Sequence, residues 1–165
     1  MPKTCLRWSE IVELTDLLAQ VFSAISDMHN ENPLAKCIQF PKIPSILSES
    51  LCILEREKLF PGCSNANFGG RTCDIIVRFP DGTEKTAEVK ATGQSAFQRL
   101  SGKDIASDFL VWVHFGRFFE DQNQEIRAYV MENPNRIFPQ GKPISLKEFG
   151  NADPAIRAVV LCQDA

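Results

Sequence analysis

Ile11, Leu14, Leu18, Val21, Ile25 and Met28 follow one another at alternating steps of three and four, the spacing of one helix face. They predict an N-terminal helix over residues 8–29, with Ser9 as its N-cap and Asn30-Glu31-Asn32-Pro33 as its stop. Strict heptad spacing is also that of a dimer seam. Trp8, Leu17 and Phe22 widen the stripe beyond two positions, which favours packing against the domain's own core. Pro33, Pro41 and Pro44 mark an extended connector, and residues 45–58 read as a second helix ending before Pro61. A Gly/Asn-rich loop follows over 61–71. The period then changes to two, and residues 73–92 read as one β-hairpin. A helix is expected at about 96–105, capped by Thr92-Gly93-Gln94-Ser95. Phe109–Phe115 is a nearly unbroken apolar run, as in a central strand buried on both faces. Strand, helix and strand in this space form a right-handed parallel crossover. Residues 125–131 read as a further strand. The proline-rich tail (Pro134, Pro139, Pro143, Pro154) is mostly loop around a short helix near 145–149, with 155–161 returning to the sheet. The expectation is one mixed α/β domain over residues 1–165.

The hairpin turn fixes its own register. Pro80-Asp81-Gly82 after Phe79 suits a type I turn with Gly82 left-handed, a three-residue loop that sets Phe79 opposite Thr83. The same register sets Asp74 directly opposite Glu88. Residues two apart on a strand share a face, so Lys90 lies beside them while Val89 faces away. Two carboxylates this close repel each other, which is sensible chemistry when a divalent cation sits between them. Asp81, in the neighbouring Pro80-Asp81 dipeptide, belongs to the turn tip. The competing reading of the cluster is a salt-bridged patch on an exposed sheet face.

Asp on one strand and Glu-X-Lys on the next, here Asp74 and Glu88-Val89-Lys90, resembles the PD-(D/E)XK nuclease superfamily, the fold of many type II restriction endonucleases. The resemblance covers roughly residues 45–115 in the order helix, Asp strand, Glu-X-Lys strand, helix, buried strand. It implies a restriction-endonuclease-like mixed β-sheet flanked by helices, with a catalytic core at about 45–131. It implies Mg²⁺ held by Asp74, Glu88 and the backbone carbonyl of Val89, with Lys90 near the scissile phosphate. Glu49, in the first turn of the preceding helix, stands where related nucleases often carry an extra acidic ligand. A glutamate there is also stabilised by the helix dipole alone. Gln98 and Lys103 on the following helix approach the phosphate in the resemblance, or are ordinary surface residues. Arg71, after Gly69-Gly70, is placed to meet DNA backbone, or is a plain loop arginine. The function implied is Mg²⁺-dependent hydrolysis of double-stranded DNA, most simply by a type II restriction endonuclease of a restriction–modification system, acting as a homodimer because one site cuts one strand. A repair or junction-resolving nuclease is a variant of the same reading, and a non-catalytic α/β binding module is the alternative from another class.

Composition narrows these options. The chain has 165 residues, 44% of them hydrophobic and 24% charged, as in an ordinary globular domain. Its net charge of −3 gives no global signature of nucleic-acid binding, so DNA contact would rest on a local cleft and a metal. No apolar run approaches the ~20 residues of a membrane span, and Met1–Trp8 lacks the apolar centre of a signal peptide. A cytoplasmic, membrane-free site of action is therefore expected. Six scattered cysteines, with no CxxC and only His29 and His114 as histidines, point to reduced thiols rather than zinc or disulfides. No Walker loop, GxGxxG or GxSxG is present, which removes the corresponding ATPases, dehydrogenases and hydrolases.

Overall fold

The computed structural model describes residues 3–94, 97–138 and 141–161. Ser95, Pro139 and Cys162 of the reading above lie outside them. The stepped apolar pattern forms α1 (Trp8–Glu31), two residues longer than expected. Its N-cap is Arg7 rather than Ser9, because the Glu10 carboxylate turns back onto the Arg7 N–H at 2.8 Å and closes the first turn. The predicted second helix divides into α2 (Ser45–Leu54) and α3 (Arg56–Leu59), broken at Glu55 (φ −95°, ψ 22°). A 3₁₀ turn, Pro33–Cys37, occupies part of the connector.

The Gly/Asn-rich loop holds a strand, β1 (Asn65–Phe68), ahead of the hairpin strands β2 (Ile75–Arg78) and β3 (Glu84–Thr92). The expected helix at 96–105 is corrected. Phe97–Arg99 is a strand, β4, and only Gly102–Ala106 is helical, as α4. Gln98 therefore lies on a strand. Ser101 caps α4, with Asp104 completing a capping box. The apolar run is β5 (Phe109–His114), followed by β6 (Ile126–Glu132), β7 (Pro143–Ser145), α5 (Leu146–Asn151) and β8 (Arg157–Leu161).

Six strands form a mixed sheet in the order β1-β2-β3-β5-β6-β8, while β4 and β7 pair separately. Every neighbouring pair is antiparallel except β3 and β5, the expected parallel pair. Alternation along β3 and β5 sorts two cores. Ala87, Phe109, Val111 and Val113 enter the larger one, against Ile11 and Phe22 of α1 and Leu47 and Leu51 of α2. Leu110 and Trp112 face the other way, into a smaller cluster with Leu100, Ile144 and Phe149. Glu88 and Lys90 pair in register with Leu110 and Trp112, so they share this second face. The α1 stripe is divided too. Ile11, Phe22 and Ile25 are buried, whereas Leu17, Val21 and Met28 remain exposed. Among the described residues no helix is long and apolar enough to cross a membrane. The five described cysteines are free, with Cys52 and Cys73 buried.

Candidate active site

The hairpin takes the register its turn dictates. Gly82 is left-handed (φ 85°), and its N–H reaches the Phe79 carbonyl at 3.0 Å. Ile75 pairs with Ala87 and Arg78 with Glu84, which places Asp74, one residue before β2, across from Glu88. Asp81 accepts from the Thr83 N–H at 2.9 Å and stays at the turn tip. On the other side of Asp74 the chain passes so close to itself that a Cβ on Gly69 would stand 2.2 Å from Cys73 Sγ and 2.7 Å from Cys73 O. Glycine is therefore required in the turn that delivers Asp74.

Asp74 Oδ2 accepts from the Val89 N–H at 2.9 Å. In a strand the N–H and C=O of one residue point to the same edge. The Val89 carbonyl accordingly faces the edge where Asp74 stands, beyond the first paired residue of β2. Lys103, from α4, completes the centre. Its Nζ lies 3.1 Å from Glu88 Oε1 and 3.6 Å from Asp74 Oδ1, between the two carboxylates. Lys90 Nζ turns instead to Asp104 Oδ1 at 2.9 Å. Asp104 is 1% exposed, and its other oxygen accepts from the Ser101 N–H and Oγ at 2.7 and 2.9 Å.

Burial dominates the electrostatics. Glu88 is 3% exposed. Loss of water, then the nearby Asp74 charge, raise its pKa to about 7, against a smaller opposing pull from Lys103. Lys103 is close enough to oppose the shift, yet no N–H is aimed well enough to satisfy Glu88 Oε1, which is buried without a hydrogen bond. The two carboxylates in turn raise the Lys103 pKa against the cost of its own burial.

The remaining expected residues are distributed unequally. Glu49 is buried on α2, but both its oxygens bind Lys3 Nζ, at 3.2 and 2.9 Å, and among the described residues it joins Asp74 and Glu88 in no group that could hold a metal. Gln98 donates from Nε2 to the Ala91 carbonyl at 3.0 Å and lines a cleft of about 730 Å³ with Lys90, Ser48, Lys42, Thr92 and Phe97. The cleft adjoins the acidic pair through Val89 and Lys90, while Asp74 and Glu88 themselves sit outside its walls. Arg71 is exposed in the turn leading to Asp74. Asp104 is the partner of Lys90 that sequence reasoning left without a role. Its signal was the Ser101-x-x-Asp104 capping spacing, which fixes the carboxylate at the start of α4.

The donor set suits a hard divalent cation: two carboxylates, a backbone carbonyl on the same edge and a buried carboxylate oxygen lacking a hydrogen bond. Among the described residues no group of three or more His, Cys, Asp or Glu side chains gathers at one point, so only two acidic side chains, Asp74 and Glu88, meet here. Neither the known protein-family models nor the curated proteins compared with this chain give a match, so residue chemistry and geometry carry the functional reading.

Proposed function

We propose that the chain is a Mg²⁺-dependent endodeoxyribonuclease with a restriction-endonuclease-like core, most simply a type II restriction enzyme acting on double-stranded DNA. The observation that carries the proposal is the convergence of Asp74 and Glu88 on one cation position, with Lys90 beside them on the same sheet face. Asp74, Glu88 and the Val89 carbonyl are the groups that would hold the metal. Bound there, a divalent ion supplies charge stabilisation at a phosphate oxygen and lowers the pKa of a coordinated water.

The protein's own residues divide the remaining work. Asp104 holds the Lys90 ammonium in an ion pair at 2.9 Å, which engages at most one of its three donors. The other two donors remain for a non-bridging phosphate oxygen, whose charge grows as water attacks phosphorus. Gln98, fixed to the Ala91 carbonyl, forms part of the cleft wall along which the strand would lie. Arg71 is placed to contact the backbone beyond the scissile phosphate. Cutting both strands of a duplex takes two such sites, and the exposed Leu17, Val21 and Met28 of α1 offer a surface for a homodimer. Action on DNA fits a cytoplasmic enzyme. A repair or junction-resolving nuclease would use the same centre.

One observation favours a second reading, a non-catalytic module. Lys103 and Asp104 pair every charge of the cluster, as a purely structural salt-bridge network would. Plasmid DNA incubated with Mg²⁺ separates the two. Nicking or linearisation by the wild type that is lost in Glu88→Ala supports the nuclease. No metal-dependent cleavage on a broad set of DNAs supports the module.

A further inference from the structure

The α4 helix does more than follow the Glu-X-Lys strand. Its adjacent Lys103 and Asp104 reach opposite members of the cluster, the ammonium to the acidic pair and the carboxylate to Lys90. The two contacts differ in kind. Asp104 is 1% exposed and locked by three capping hydrogen bonds to Ser101. The Lys103 side chain is 48% exposed, and it leaves buried Glu88 Oε1 without a properly directed hydrogen bond. One is a fixture and the other is free to leave.

A buried carboxylate beside a second carboxylate is stabilised in its charged form by a nearby positive charge, because it has lost water and the two repel each other. We propose that Lys103 is an exchangeable internal cation, which occupies the metal position of the Asp74–Glu88 pair in the metal-free protein and is displaced by the incoming divalent ion. The inference rests on the nuclease reading above and adds a regulatory element to the same site. Lys103 has a flexible four-carbon stem with a compact, strongly hydrated head, so it can swing to solvent while the backbone of α4 stays in place. Its N–H donors can reach two oxygens only loosely, at 3.1 and 3.6 Å, where a divalent ion offers twice the charge to both. Competition of this kind sets a threshold: the carboxylates stay apart from trace cations and yield only when divalent ion is abundant. Once displaced, Lys103 stands at the edge of the centre, where a DNA phosphate would meet it.

Calorimetric titration of the whole chain with Mn²⁺, without DNA, tests this independently of cleavage. Lys103→Met removes the competing charge and keeps most of the stem, Lys103→Arg keeps the charge, and Lys147→Met removes an exposed charge on α5 as a control for overall electrostatics. The expected result is a Kd for Lys103→Met lower by at least about fivefold, the lower end of couplings between bound groups. Lys103→Arg and Lys147→Met should stay within about twofold of wild type. Circular dichroism of Lys103→Met should show an intact fold, with a melting temperature lowered in the absence of metal and recovered by Mn²⁺. If wild type binds Mn²⁺ and Lys103→Met binds no more tightly, the displacement idea fails while the metal site stands. If neither protein binds Mn²⁺, the nuclease reading and this inference fall together.

Discussion

The two faces of strand β3 are built by opposite rules. On one, Ala87, Val89 and Ala91 join the larger core beneath α1 and α2, where shape and apolar area decide the packing. On the other, Glu88 and Lys90 share a smaller core with Leu110 and Trp112, and each buried or half-buried charge is met by an opposite charge from α4. On the first face the charge is Lys85 at the strand's start, over the Phe79 and Phe109 rings, and the packing of Ala87, Val89 and Ala91 beyond it is apolar. The charged face depends on pH and ions, because a desolvated carboxylate beside another is tolerated only when neutralised. A single alternating strand thus carries apolar packing on one side and a paired charge cluster on the other.

The largest loss of stability should come from the aromatic anchors of the two faces. Trp112 is fully buried, donates from Nε1 to Thr92 Oγ1 at 2.8 Å and packs edge-on against Phe149. Trp112→Ala should lower unfolding free energy by about 3–5 kcal/mol, as should Phe60→Ala in the larger core. Urea denaturation measures both. Equal losses would mean that the small charged-face cluster is packed as tightly as the main one. A much smaller loss for Trp112→Ala would mean that it is not.

The next effect belongs to the charged face alone. Asp104→Ala removes the α4 capping box and strands the Lys90 ammonium, for a cost of about 2 kcal/mol or more by urea denaturation. A cost under about 0.5 kcal/mol would show Lys90 to be adequately solvated without its partner.

The pH response separates the faces most cleanly. Because the folded-state pKa of Glu88 is raised from 4.5 to about 7, the native protein binds more protons than the unfolded chain between those values. Its contribution to stability is therefore complete below about pH 4.5 and is lost as pH rises through about 7. The slope cannot exceed about 1.4 kcal/mol per pH unit for one group. Glu88→Gln should flatten the urea-midpoint profile between pH 5 and 8 and make the protein more stable than wild type at pH 8. An unchanged profile would mean that Glu88 is solvated.

How much of this was legible in the sequence depends on the range of the interaction concerned. The Asp74–Glu88 register was readable because Pro80-Asp81-Gly82 fixes it through local turn chemistry, and the observed pairs Ile75–Ala87 and Arg78–Glu84 keep that register. The long helix and the buried β5 run were readable from periodicity. Strands β4 and β7 were not, since three residues each give no period and their pairing joins Phe97 to Ser145 across a long stretch of chain. With β4 unseen, the expected helix was too long and held Gln98, which the structure places on that strand ahead of the shorter α4. The partner of Glu49 was hidden for the same reason. Because α2 starts at Ser45, Glu49 stands in its second turn rather than the expected first, and the Lys3 that binds both its oxygens is 46 residues away. Lys103 was legible on a helix after the motif, yet which charges it and its neighbour Asp104 would meet depends on how α4 lies against the sheet.

The smallest expected effect concerns the exposed flank of α1. Leu17→Gln, at a residue 53% exposed, should change monomer stability by less than about 0.5 kcal/mol. Sedimentation gives the informative contrast. Loss of a wild-type dimer in Leu17→Gln would make this flank the interface, and an unchanged assembly would remove it from that role.

The central proposal is that the acidic pair across the hairpin, half-buried Asp74 and buried Glu88, rather than the buried Glu49 on α2, is the reacting centre. Mg²⁺-dependent plasmid cleavage by Glu88→Gln and Glu49→Gln, run side by side with wild type, tests it most directly. The account predicts that Glu88→Gln loses cleavage while Glu49→Gln, relieved of its tie to Lys3, still cuts. Cleavage that persists in Glu88→Gln, or that disappears only in Glu49→Gln, would contradict it.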